Sequence, residues 1–368
     1  MPAGCPGCGV DHVRGAPDCP EARLQEVLGG KYRLEALVGS GGCGAVYRAA
    51  HVLLETPCAV KMLLPRFARD ARLARRFLIE AKTAASLKHP GIAQVTDYGA
   101  AGDGAPYLVM ELLDGRNLSQ VLKRRGGPLR AGEAVSVAVD VLEALSVAHA
   151  AGVVHRDLKP ENLMLVRDAD GVMRPKILDF GIAKVKMVEG EKGLTATGDF
   201  VGTLRYASPE QITSSKTVDE RADVYSLGAV VFFLLTGRSP IEGRSTSEVL
   251  SNFVSGKIAR SPAAQGADVP EALDAIVSKA LALHREDRFR SAKDMLAAFK
   301  GQNQEVVSTV PTIEGSWDWL GSVSLRWRVL LAVLVLAVTV WCFARLVPRG
   351  YGPPERSSVP SAAEPSSR

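Results

Sequence analysis

The chain has 368 residues, 46% of them hydrophobic, and a formal net charge of +5. That length holds one large domain or two ordinary ones with appendages, and the apolar content is ample for a core. The charge is modest and the basic residues are dispersed, which argues against a nucleic-acid binder. The scattered Cys43, Cys58 and Cys342 exclude a disulfide framework in the main body.

The first predicted element is a head, residues 1–27, opening "CPGCGVDHVRGAPDC". It has no apolar run and so does not read as a signal peptide. Cys5 and Cys8 form a Cys-x-x-Cys turn shaped by Pro and Gly, and Cys19 follows. Zinc takes four N or S ligands. Ala22 stands where a second such turn would place its fourth Cys, so His12 completes the set Cys5, Cys8, His12 and Cys19. A segment this short cannot build a core unaided, and a metal would account for both the thiols and any fold there. A metal-free remnant of a ribbon and a free redox pair are the alternatives.

Residues 32–299 alternate strand-like and helix-like patterns. "GSGGCGAV" places Gly39, Gly41 and Gly44 in a G-x-G-x-x-G-x-V frame ending at Val46. Such glycines let backbone amides approach phosphate oxygens. A dinucleotide fold would need a helix next. Here "VYRAAHV" and "PCAVKML" read as two more strands, so a strand–turn–strand covers the phosphates. Lys61 lies in the second of these, where by itself it could be no more than a strand-end lysine in solvent. Leu73, Phe77, Glu80, Ala84 and Leu87 then recur at helical spacing. Glu80 therefore sits on an apolar stripe, where a carboxylate needs a cation. Lys61 is the natural candidate.

A helical pattern ends at "AHAAG", with Gly152 as its stop, and "HRDLKPEN" follows from His155 to Asn162. Seventeen residues after Asn162 comes "DFG", Asp179 to Gly181. An Asp, an Asn and a second Asp on loops supply a base and hard oxygen ligands for magnesium. "VYSLGAVVFFLLTG", Val224 to Gly237, is too short to span a membrane and reads as a buried core helix.

These ordered motifs resemble the eukaryotic-type serine/threonine protein kinases of bacteria, over about residues 32–299. The resemblance implies an α+β, two-lobed protein kinase fold, with a small β-rich N-lobe and a larger helical C-lobe. It implies ATP and Mg²⁺ as cofactors and proteins bearing Ser or Thr as substrates. Val38, Gly39, Ser40, Gly41, Gly42, Cys43, Gly44, Ala45 and Val46 would cover the ATP phosphates. Lys61, paired with Glu80, would hold the α- and β-phosphates. Asp157 would accept the substrate proton, Lys159 would steady the transferred phosphate, and Asn162 and Asp179 would hold magnesium. "YLVMELL" resembles the hinge, with Met110 as gatekeeper and Glu111 and Leu113 bonding adenine through their backbones. Lys159 and Thr203 point to hydroxyl amino acids rather than tyrosine. "SPE", Ser208 to Glu210, replaces the family's Ala-Pro-Glu, and Arg288 would pair with Glu210. Asp223 would cap the buried helix and brace the catalytic loop. Thr195 and Thr197 stand where bacterial relatives autophosphorylate, and a phosphate there would meet Arg156. A second kinase copy is then a partner for trans-autophosphorylation. Val38 for Leu and Cys43 at the loop tip depart from the family pattern without removing a catalytic group. A pseudokinase scaffold would lack Lys61, Asp157 or Asp179, and all three are present. A membrane-tethered adaptor would carry its information outside this region.

Residues 300–328 read as a juxtamembrane linker. Residues 329–344, "VLLAVLVLAVTVWCFA", are sixteen uncharged residues between Arg328 and Arg345. As a helix they span roughly 24 Å, against the ~30 Å hydrocarbon layer. Snorkelling arginines and interfacial Trp327 and Trp341 make up the difference. A transmembrane helix is expected, with lipid as a partner, the kinase domain in the cytoplasm and the protein single-pass in the cell membrane. Residues 345–368, rich in Pro and Ser, are expected to be a disordered tail.

Overall fold

The strand-like alternation around Lys61 folds as a sheet. β1 (Val27–Leu28), β2 (Tyr32–Ser40), β3 (Gly44–His51), β4 (Pro57–Leu63), β5 (Val95–Ala100) and β6 (Pro106–Glu111) pair antiparallel in the order β1-β2-β3-β4-β6-β5. On β3, Ala45, Tyr47 and Ala49 are buried while Arg48 is exposed, the period-two pattern of a sheet with one covered face. Leu34, Val60, Met62 and Val109 complete that core. The computed structural model describes residues 19–41, 44–180, 202–213 and 218–306. All of them lie in one compact unit. Cys5, Cys8, His12, Gly42, Cys43, Thr195, Thr197 and the apolar run 329–344 lie outside the described residues. Among the described residues, no helix is long and apolar enough to cross a membrane.

Two expected boundaries move. Residues 19–28 belong to the sheet's own lobe rather than to a separate head. Cys19 is 1% exposed, Tyr47 Oη donates to the Pro20 carbonyl at 2.9 Å, and Leu28 lies in the core. Arg23 also pairs with Asp103 and Glu26. At the other end the last helix runs through the expected linker start at residue 300.

α1 (Pro65–Ala68) leads into α2 (Ala71–Ser86). Asp70 caps α2, accepting from the amides of Arg72 and Leu73. The predicted stripe faces inward, with Phe77, Glu80 and Ala84 buried.

The second lobe begins with β7 (Gly115–Asn117), α3 (Leu118–Arg125) and α4 (Ala131–Ala150). β8 (Leu163–Arg167) and β9 (Met173–Ile177) join β7 in a three-stranded sheet, order β7-β8-β9. Then come α5 (Pro209–Thr213), α6 (Arg221–Thr236), α7 (Thr246–Val254), α8 (Glu271–Ala280) and α9 (Ala292–Val306). Gly152, at φ +74°, ends α4 as predicted. α6 is the expected core helix: it is apolar on every side and is buried nearly throughout. It stops at Gly237, φ +73°. At Gly228 a Cβ would lie 2.7 Å from Ala280 Cβ, so the glycine permits the close α6–α8 contact.

Candidate active site

The glycine turn lies between β2 and β3, with Gly41 N donating to Gly44 O at 2.9 Å. Val38 is exposed above it. Gly39 pairs with Val46 and Ser40 with Ala45 in the β2–β3 register. The glycines do different work. At Gly44 a Cβ would meet the Met62 carbonyl at 2.7 Å, so packing demands it. At Gly39 a Cβ would meet no protein atom within 4 Å. The protein's own packing does not require that glycine, as fits a backbone kept bare for the close approach of a phosphate.

Lys61 leaves β4 toward α2, and its Nζ lies 3.1 Å from Glu80 Oε1 and 2.7 Å from Asp179 Oδ1. Burial alone would lower the lysine. The Asp179 and Glu80 carboxylates outweigh it and hold Lys61 well above the ordinary lysine range, so the ammonium stays charged.

Asp157 is buried at the end of the loop after α4. Asn162 Nδ2 donates to the Asp157 carbonyl at 2.8 Å and to its Oδ2 at 2.9 Å. With its amide nitrogen committed, Asn162 presents its carbonyl oxygen, a hard donor. The Asp179 carboxylate supplies the second, and this set fits magnesium. Lys159 Nζ lies 4.0 Å from Asp157 Oδ2 and donates to Thr203 Oγ1 at 3.0 Å. The two residues singled out for hydroxyl amino acids therefore meet beside the base.

Two of the four described non-glycine residues with positive φ lie here. Arg156 and Asp179 adopt positive φ of 66° and 46°. Such conformations persist only when surrounding contacts fix them. Asp223 fixes the first: its carboxylate accepts from the amides of His155 at 2.7 Å and Arg156 at 2.9 Å, and from His149 Nε2 at 2.8 Å. Burial would raise this carboxyl, but the His149 and His155 interactions and the Arg156 amide outweigh it and hold it below the usual range. Asp223 was expected also to cap α6, and it does not. Glu220 is the N-cap position, and Asp223 sits three residues in, facing the loop. Near Asp179, Phe180 is buried against the His155 ring, centroids 4.8 Å apart, and His155 Nε2 bonds the Leu178 carbonyl at 2.9 Å.

Glu210 and Arg288 pair as predicted, bidentate at 2.8 and 2.9 Å. Gln211 and His149 went unnoticed in the sequence. Gln211 Nε2 donates to the Arg156 carbonyl at 2.6 Å, pinning the loop from below. Nothing local marks that contact. His149 carried one signal, its place one helical turn before the loop. The side chain of Arg156 makes no ion pair among the described residues, and its Nε is buried without a partner there. In the hinge, Glu111 N donates to Gln94 O at 3.0 Å, so its carbonyl is the group available to a base. Leu113 N makes no backbone bond among the described residues. The zinc expectation falls mostly on undescribed residues. Among the described ones, no three His, Cys, Asp or Glu are grouped to hold a metal.

Residues 32–298 match the family model of the protein kinase domain. Serine/threonine-protein kinase PknH of Mycobacterium tuberculosis is 37% identical over 281 residues, covering 76% of this chain and 43% of that protein. Serine/threonine-protein kinase PknB of Mycolicibacterium smegmatis is 38% identical over 273 residues, covering 73% of this chain and 42% of that protein. The chain thus spans less than half the length of these two relatives. The solved kinase domain of M. tuberculosis PknI superposes with a TM-score of 0.56 at 28% identity, over 76% of this chain and 99% of that one. The chain belongs to the protein kinase family.

Proposed function

We propose that the chain transfers the γ-phosphate of ATP to Ser or Thr hydroxyls of proteins, in bacterial signalling. The observation that carries this is the convergence of Lys61, Glu80 and Asp179 on one side with Asp157, Asn162, Lys159 and Thr203 on the other. Gly39, Gly41 and Gly44 shape the turn that covers the phosphates, and Gly39 leaves its backbone open to their close approach. The Glu111 carbonyl and Leu113 N–H orient adenine. Lys61, held by Glu80, positions the α- and β-phosphates. The Asp157 carboxylate takes the proton of the incoming hydroxyl, and Lys159 faces the charge on the transferred group. Asn162 and Asp179 would hold magnesium, which supplies charge neutralisation at the phosphates when bound. Asp157→Asn should leave ATP binding nearly intact and cut transfer by roughly 100-fold or more. Autophosphorylation near the parent rate in that variant would contradict the assignment.

Three further parts belong to the same reading. Phosphate on Thr195 or Thr197, delivered by a second kinase copy, would pair with the Arg156 guanidinium, which makes no ion pair among the described residues, and raise activity. Thr195→Ala/Thr197→Ala with undiminished activity toward an added substrate would remove that idea. The run 329–344 anchors the protein in the cell membrane with the kinase domain in the cytoplasm, where ATP is. Extraction by high salt alone would count against an anchor. The pair Cys5 and Cys8, with His12 and Cys19, takes one zinc, and metal analysis of freshly purified, reduced protein tests it. Cys19 is enclosed in the N-lobe, so such a site would sit against the kinase domain rather than apart from it.

A further inference from the structure

Four consecutive positions leading into the catalytic cleft are each tied to a different part of the molecule. Lys176 Nζ donates to both oxygens of the Glu111 carboxylate, at 2.8 Å each. Ile177 exchanges backbone bonds with the loop before β5: its N–H reaches Gly91 O at 2.8 Å and its carbonyl accepts from Ala93 at 2.9 Å. Leu178 N donates to Asn162 O at 2.8 Å, and its carbonyl bonds His155. Asp179 then meets Lys61.

The Glu111 end of this chain is tied twice over. Its Oε1 also accepts from Gln94 N at 2.9 Å, and its own N–H returns to the Gln94 carbonyl. One carboxylate at the start of the hinge thus joins the adenine-facing strand β6, the loop before β5 and the strand β9 that ends two residues before Asp179. Both side chains are more than two-thirds buried. A pair so enclosed is less screened than a surface ion pair. The clamp is formed while Lys61–Glu80 is also formed and Phe180 is buried. It therefore accompanies the assembled site.

We propose that Glu111 and Lys176 are a positioning pair that fixes the hinge against β9 and so sets the spacing between the adenine contacts and Asp179. Neither side chain touches the reacting atoms. They act through the Glu111 backbone and through Ile177 and Leu178. This rests on the kinase reading.

The test is a double-mutant cycle in the full chain, with Glu111→Gln, Lys176→Met and the double variant, plus Lys176→Arg. Glutamine keeps an acceptor for Gln94 N–H and removes only the charge. Steady-state phosphorylation of myelin basic protein gives kcat and KM for ATP, and calorimetric titration with a non-hydrolysable ATP analogue gives Kd. We expect each single variant to raise KM and Kd for the nucleotide about three- to tenfold, with kcat changed less than about twofold. The double variant should be no worse than either single one, and Lys176→Arg should bind nucleotide like the parent. Additive effects, or unchanged KM and Kd, would overturn the proposal. A higher kcat in the single variants would also overturn it, making the pair a restraint on the site. An inactive parent protein would instead indict the kinase reading, while the nucleotide Kd values would still report on the clamp.

Discussion

Asp223→Asn isolates the support of the catalytic loop from its chemistry. The Asp223 oxygens accept three hydrogen bonds, from His155 N, Arg156 N and His149 Nε2, and the residue is fully buried. Asparagine keeps one acceptor oxygen and turns an NH₂ toward the remaining donors. A buried donor without an acceptor costs about 1–3 kcal/mol, and dismantling a buried charged network costs about 3–5 kcal/mol. The left-handed Arg156 backbone holds a further ~1–3 kcal/mol of strain that these bonds restrain. We expect the variant to lose about 3–5 kcal/mol of stability, at about 2–4 °C of Tm per kcal/mol. Asp157 follows Arg156 directly, and a shift of about 1 Å in a reacting group costs about 100-fold in rate. Thermal and urea unfolding, with transfer assayed well below Tm, measure both effects. The folded pKa of Asp223 is depressed. Its contribution is thus fully present above the unfolded value near 3.9 and is lost as pH falls through the lower folded value. The stability gap between parent and variant should therefore close in acid. A variant within 1 kcal/mol of the parent, transferring at a rate within about threefold, would refute the reasoning.

Arg288→Lys should cost about 2–4 kcal/mol in urea unfolding, because an ammonium cannot reproduce the fork to Glu210 or the bonds to the Ala282 and Leu283 carbonyls. Ser208→Ala should stabilise by about 1 kcal/mol with unchanged activity. Ser208 is wholly buried and its hydroxyl has no partner among the described residues; a loss of stability would mean that the hydroxyl is satisfied.

The motifs that carry chemistry were legible because each is written in a short window. The glycine frame, Lys61 in the strand after it, "HRDLKPEN" and "DFG" need only local turn chemistry and element type to be placed. The period of α2 put Glu80 on the buried stripe, and burial then required a cation. Even Glu210 and Arg288, 78 positions apart, could be matched through the resemblance to the family. The contacts of Gln211 with Arg156, His149 with Asp223, and Lys176 with Glu111 were not legible; they join residues 55, 74 and 65 positions apart. Asp223 shows the division in one residue. The resemblance to the family implied that Asp223 both caps the helix and braces the catalytic loop, and only the bracing holds. Packing of α6 beneath the loop after α4 turned its carboxylate to the amides of His155 and Arg156 instead. Periodicity determines which face of an element is apolar and which residues share it. Which distant polar groups then meet is decided by how the buried faces pack, because only there does desolvation make an unpaired donor or charge too costly to leave.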